Sequence, residues 1–192
     1  NSKFLNLTWN NKRINLVDTP GYADFIGDMI GALQAVDSGI VIVDAVGGLE
    51  VGTERVWDFL EQNNLPRIIF ISKLDKENTN FLTTVTSIQD IFGKRCMPLQ
   101  YPIGKQASFK GSCDLLAQEG FEQLDENDKK SALKLREQLI EKIAEVDDKL
   151  LEKYLEGGEL SLDELKKGLN RGVVSAEIIP IFLGSAVNNL SM

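Results

Sequence analysis

The sequence predicts an α/β fold: a mostly parallel sheet with helices on both faces, carrying an inserted α+β subdomain. Three observations lead there. The runs 39–44, 67–72 and 177–184 are apolar without alternation, which suits parallel strands covered on both faces. Amphipathic helical stretches separate the first two runs from each other and from their neighbours. After residue 96 the alternation stops, and a long charged segment precedes the last run.

The elements follow in order. Phe4 to Trp9 alternates with period two, Asn10-Asn11 makes a turn, and Arg13 to Asp18 resumes a strand. This pair reads as a hairpin at a sheet edge. Tyr22 to Val36 is helical, with Phe25, Ile26, Met29, Ile30, Leu33 and Val36 on one face. Gly39–Asp44 is the first buried strand, Thr53–Gln62 a helix, Arg67–Ser72 the second strand and Phe81–Phe92 a helix. The stretch Met97–Gly104 is extended and broken by prolines, and residues 109–115 suit a short strand. One long amphipathic helix is expected from about Asp125 to Leu155, with Leu135, Leu139, Ile143, Val146, Leu150 and Tyr154 as its stripe. Gly157-Gly158 stops it. Ser161-Leu162-Asp163-Glu164 is a capping box for one more helix.

Composition narrows the chemistry. The chain of 192 residues is 43% hydrophobic and 26% charged, ordinary for a globular protein. No apolar run approaches the roughly 18 residues of a membrane span, and the N-terminus lacks the pattern of a signal peptide; a cytoplasmic location is expected. The two cysteines, Cys96 and Cys113, lack metal-site spacing and read as reduced, partly buried thiols. Histidine is absent, which removes His-based triads and metal sites. The net charge of −8 argues against broad nucleic-acid binding. Residues 119–167 hold 15 acidic and 9 basic side chains, so most of the excess belongs to one segment.

Three strand ends carry polar groups suited to a ligand, because open α/β sheets bind ligands beyond the carboxyl ends of their strands. Asp18-Thr19-Pro20-Gly21 places a carboxylate and a bare glycine N–H after a strand; in a phosphate site the Asp can hold a Mg²⁺-bound water and the Gly N–H a terminal phosphate. In Ser72-Lys73-Leu74-Asp75 the Asp75 carboxylate can accept both the ring N–H and the exocyclic NH₂ of guanine, a donor pair adenine lacks. The Lys73 stem can lie along the base. Ser185-Ala186 can present a backbone N–H to a carbonyl oxygen such as guanine O6. A plain turn would explain each motif alone; their order and spacing make them strong together.

This constellation resembles the G domain of translational GTPases, a P-loop-NTPase-like fold. Val17-Asp18-Thr19-Pro20-Gly21-Tyr22-Ala23-Asp24-Phe25 is similar to the family's DTPGHxDF switch. Asp44-Ala45-Val46-Gly47-Gly48 and Glu54-Arg55-Val56-Trp57 are similar to the segment that follows in elongation factor G. Pro98–Gly104 with Phe109-Lys110-Gly111 resembles the start of that factor's G′ insert, and Asp147-Asp148 through Lys153–Gly157 its long helix. The resemblance implies a G domain core over 1–96, a G′-type insert over 97–176, and a return to the G domain over 177–192.

The chain departs from the family in four places. No GxxxxGK[ST] phosphate loop occurs; the family carries it upstream with the first switch, so the chain is expected to be a piece of a longer protein. Tyr22 stands where the family has the His that places the attacking water. Ser72 stands where the family has the Asn that binds the base and braces the phosphate loop. Leu116–Asp125 is shorter than the family's insert there. Tyr22 and Ser72 together resemble the second, paralogous class of elongation factor G.

The resemblance implies binding of GTP and GDP with Mg²⁺ through Asp18, Thr19, Pro20, Gly21, Tyr22, Ser72, Lys73, Leu74, Asp75, Ser185 and Ala186. It places Gly21 and Tyr22 at the hydrolysed phosphate and Asp18 on the metal through water. It implies the ribosome as partner, through large-subunit RNA and a stalk protein, in translocation or recycling. Two other readings stay open: a nucleotide-binding module that does not hydrolyse GTP, and a ribosomal-protection factor.

Overall fold

The computed structural model describes residues 2–21 and 26–191. Strands β1 (Lys3–Trp9) and β2 (Lys12–Asp18) form the expected antiparallel hairpin. Asn10 and Asn11 both take positive φ, 46° and 59°, the conformation a two-residue hairpin turn needs and asparagine tolerates. Among the described residues the hairpin joins no larger sheet. It is a two-stranded sheet of its own, which corrects the sheet-edge expectation. Phe4, Leu5, Leu7 and Trp9 are all exposed.

The main sheet contains β3 (Gly39–Asp44), β4 (Arg67–Ser72), β5 (Cys96–Pro98) and β8 (Ile179–Leu183), in the order β3-β4-β8-β5. Every pairing in it is parallel. Helices α1 (Ile26–Leu33), α2 (Val51–Gln62) and α3 (Phe81–Phe92) fill the connections. Leu60 of α2 sits against Gly39 at the start of β3. Asn80 caps α3 by accepting from the Thr83 N–H. At the amino-terminal edge of the sheet the Trp57 and Phe92 rings stack, centroids 4.0 Å apart. The buried Arg67 guanidinium lies 4.5 Å from the Trp57 ring and pairs with Glu61, which also holds Arg95 at 2.6 Å.

The double-sided cover expected for all three buried strands holds only in part. In β3 the buried residues Val41 and Val43 alternate with Ile40 and Ile42, which are 58% and 64% exposed. No described element covers that second face, and β3 is the sheet's outer strand.

The segment after residue 96 is α+β. Strand β5 straddles the expected boundary at 96/97 and pairs with β8. Strands β6 (Gln100–Ile103) and β7 (Gly111–Asp114) form an antiparallel pair. The single long helix expected from 125 to 155 is instead two: α4 (Glu126–Ala144) and α5 (Asp148–Leu155). The break is a capping event. The Asp147 side chain accepts from the N–H groups of Lys149 and Leu150, and pairs with Arg171 of α6 (Leu162–Val174). A carboxylate that caps a new helix start in this way ends the preceding one. The capping box at Ser161 and Glu164 forms as expected. Ala132, Leu135, Leu139 and Ile143 of α4 and Leu165 of α6 share one core with the sheet residues Ile69, Ile71, Ile179 and Ile181. Both cysteines are buried and free. Among the described residues no helix is long and apolar enough to cross a membrane.

Candidate functional site

Strands β3, β4 and β8 run parallel, so their carboxyl ends share one edge. The register sets Asp44 opposite Ser72, and the Gly184 N–H donates to Ile71 O at 3.0 Å. Asp44, Ser72 and Gly184 therefore finish side by side, and the loops behind them meet.

The loop after β4 is tightly built. Lys73 takes φ of 63°, left-handed backbone that a non-glycine residue enters only when its surroundings hold it there. The Lys76 N–H closes the turn on Lys73 O at 3.1 Å. Leu74 is buried, and the Thr79 hydroxyl donates to Leu74 O and Lys76 O. This frame fixes Asp75, whose side chain is only 9% exposed. Its Oδ1 is buried and has no hydrogen-bond partner among the described residues. The neighbouring Ser185 hydroxyl holds the Asp75 carboxyl below the usual carboxylate range, against the opposing effect of burial. A buried carboxylate oxygen without a donor is a costly group, and here it is an acceptor waiting for a donor from outside.

The loop after β8 supplies the other wall. Ser185 is fully buried, and its backbone exchanges two hydrogen bonds with Leu190, each 3.0 Å. The Ser185 N–H is thus engaged. Among the described residues the Ala186 and Val187 N–H groups meet no acceptor, which leaves them as the free donors of this loop. The loop is anchored to the neighbouring hairpin: Ser191 Oγ lies 2.8 Å from Ser112 Oγ, and the Leu183 N–H donates to Gln100 Oε1. An orphan acceptor beside a free donor complements a planar group bearing both hydrogen-bond types.

Ser72 makes a local bond, its hydroxyl donating to Val43 O at 3.3 Å. Lys73 Nζ lies 2.5 Å from Asp44 Oδ2. The same contact raises the Lys73 pKa and lowers that of Asp44. Asp44 was readable as a strand end, but its pairing with Lys73 was not.

Asp18, Thr19, Pro20 and Gly21 are placed differently from the expectation. They follow β2, which among the described residues pairs only with β1, so Asp18 does not end a strand of the parallel sheet. Asp18 and Gly21 are exposed. The Gly21 carbonyl oxygen nonetheless approaches the start of α2, 3.8 Å from where a Cβ on Gly52 would stand. The structure thus gathers Ser72, Lys73, Leu74, Asp75, Ser185 and Ala186 at one sheet edge, while Asp18 ends the separate hairpin and Thr19–Gly21 lead from it towards the start of α2. Tyr22 lies outside the described residues. Among the described residues no group of three or more carboxylate or thiol side chains could hold a metal on its own. A cavity of about 240 Å³ lies between Leu74, Phe81, Tyr101 and Phe109. It is lined by none of the predicted site residues except Leu74.

A family model described as the elongation factor Tu GTP binding domain matches residues 1–192. The chain belongs to that family. It is 38% and 36% identical to elongation factor G from two strains of Dehalococcoides mccartyi, in each case over 94% of this chain and 28% of the relative. A crystal structure of a protein from Thermus thermophilus superposes with a TM-score of 0.87 at 30% identity, over 98% of this chain and 30% of that one. The fold is therefore that of a P-loop-NTPase-like G domain of the translation-factor GTPases. The chain spans under a third of the length of these relatives.

Proposed function

We propose that the chain is the guanine-reading part of a GTP-hydrolysing, ribosome-associated factor of the elongation factor G type. The observation that carries this reading is the orphaned, buried Asp75 Oδ1 beside the Ser185-Ala186 loop. Guanine presents two adjacent donors and one carbonyl along a single edge. Asp75 takes the donors, and the Ala186 N–H takes the carbonyl.

Mg²⁺ keeps most of its waters and needs one or two carboxylates besides phosphate oxygens. The exposed Asp18 carboxylate fits that demand through a water, and the ion would neutralise phosphate charge there. Gly21 contributes its N–H to the terminal phosphate, and the Tyr22 phenol, able to accept and donate a hydrogen bond, orients the attacking water. Tyr22 and Ser72 favour the second class of elongation factor G over the housekeeping one. The acidic segment 119–167 is the docking face for a stalk protein, with contacts to large-subunit RNA few and local, in a cytoplasmic protein acting in translocation or recycling.

The test uses the full-length protein. Asp75→Asn should shift preference from GDP towards XDP, because an amide offers one acceptor and one donor, matching xanthine. A buried mismatch of this kind is worth roughly 1–3 kcal/mol. Titration calorimetry giving the same GDP to XDP affinity ratio for both proteins would remove Asp75 as base reader. For the hydrolytic step, Tyr22→Phe should slow single-turnover GTP hydrolysis on ribosomes; an unchanged rate assigns the water to another group.

A further inference from the structure

We infer that Asp44 is a positioning residue for the nucleotide base: it clamps the Lys73 ammonium so that the lysine stem lies fixed across the carboxyl edge of the sheet as a platform for the ring. The inference rests on the guanine reading above and adds a residue to it.

The argument begins with strand geometry. Asp44 ends β3 and stands opposite Ser72, so Lys73 is one residue beyond the ladder. Neighbouring strands lie about 4.8 Å apart. A lysine reaching from β4 to a carboxylate at the end of β3 must therefore lay its four-carbon stem along the sheet edge. Lys73 Nζ meets Asp44 Oδ2 at 2.5 Å, so the stem spans that gap. Asp75 and Ser185 belong to the β4 and β8 loops on the other flank. A flat ring whose edge meets Asp75 would rest its face on the stem.

The clamp is itself held. Asp44 Oδ1 accepts from the N–H groups of Val46 at 2.8 Å and Gly47 at 3.3 Å. One carboxylate oxygen thus orients the group and the other binds the cation. Lys73 also carries the left-handed backbone that opens the Asp75 turn, so its direction and that of Asp75 are set together. The Lys73 side chain is 55% exposed, and without a partner a lysine stem samples many rotamers. Fixing it before the base arrives removes that ordering cost from binding.

Asp44→Asn isolates the effect. The amide keeps an Oδ1 acceptor for Val46 and Gly47 and loses only the charge that holds Lys73. In the full-length protein, release of a fluorescent GDP derivative is measured for wild type, Asp44→Asn, Lys73→Met, the double variant and Asp75→Asn. Asp44→Asn should release GDP about three- to fivefold faster, the size that a partly exposed ion pair supports, with the GDP to XDP ratio unchanged. The double variant should release it no faster than Lys73→Met alone, since the two residues act as a unit. Asp44→Ser, which keeps an oxygen acceptor, should match Asp44→Asn. Wild-type release from both Asp44 variants, or a double variant equal to the product of the singles, overturns the clamp. If Asp75→Asn still switches selectivity in that case, the guanine reading survives without it. Failure of the wild-type protein to bind GDP overturns both.

Discussion

Gly184 decides how closely the chain can return on itself behind β8. A Cβ there would stand 2.8 Å from both Leu190 O and Ser191 O and 2.9 Å from the Phe70 ring. Two of those atoms are backbone, so they cannot step aside as a side-chain tip does. Gly184→Ala should push the 185–191 loop outward and break the paired bonds between Ser185 and Leu190. Overpacking of this kind costs about 1–3 kcal/mol. Thermal melts should show the loss, and guanine-nucleotide affinity in the full-length protein should fall with it. A variant that melts and binds like wild type would mean the loop has room to spare. The strand end at Gly184 was legible in the sequence because a contiguous apolar run stops there. The close return was not, since it depends on residues six and seven positions later. Asp44 and Lys73 were hidden for a related reason: they stand 29 positions apart and meet only because β3 and β4 are neighbours.

Secondary-structure elements were legible where their signals are local. The Asn10-Asn11 turn and the Ser161 capping box act within a few residues, and both form. The α4–α5 break was missed because the apolar stripe continues through Val146 while Asp147-Asp148 reads equally well as a charged face. The second oxygen of Asp147 pairs with Arg171 on a different helix, a contact that no local pattern displays. The start of α6 permits a test by acidity. A hydrogen bond from Lys153, with others from Ser161, holds the Glu164 carboxyl at about 2, against an ordinary 4.5. A depressed carboxyl pKa contributes stability that is full above about 4.5 and is lost as pH falls through about 2. Glu164→Gln keeps the capping-box acceptor and removes the charge. Wild type should melt higher than Glu164→Gln at neutral pH, and the gap should close as the buffer is taken from about pH 5 to pH 2.5. A gap that stays constant over that range would show that charge at Glu164 does not support the helix junction.

At the scale of the whole molecule, fold class followed from runs and periods alone, whereas the neighbour of each element did not. Nothing in the β1–β2 hairpin's alternation specifies a partner, and among the described residues the strands pair only with each other. The main sheet ends on β3, a strand of six residues without lysine or proline, with Ile40 and Ile42 turned outward. For the 192-residue chain handled in a tube, this is a colloidal property before it is a structural one. An uncovered outer strand of that composition is a template for a second molecule's backbone. Light scattering from the purified chain should therefore rise steeply with concentration. Ile42→Lys, which places a charge on the open face and disturbs no buried contact, should raise the solubility limit while leaving the melting temperature near that of the parent. Scattering as strong in Ile42→Lys as in the parent would place the sticky surface elsewhere, with the exposed Phe4, Leu5 and Trp9 of the hairpin next in line.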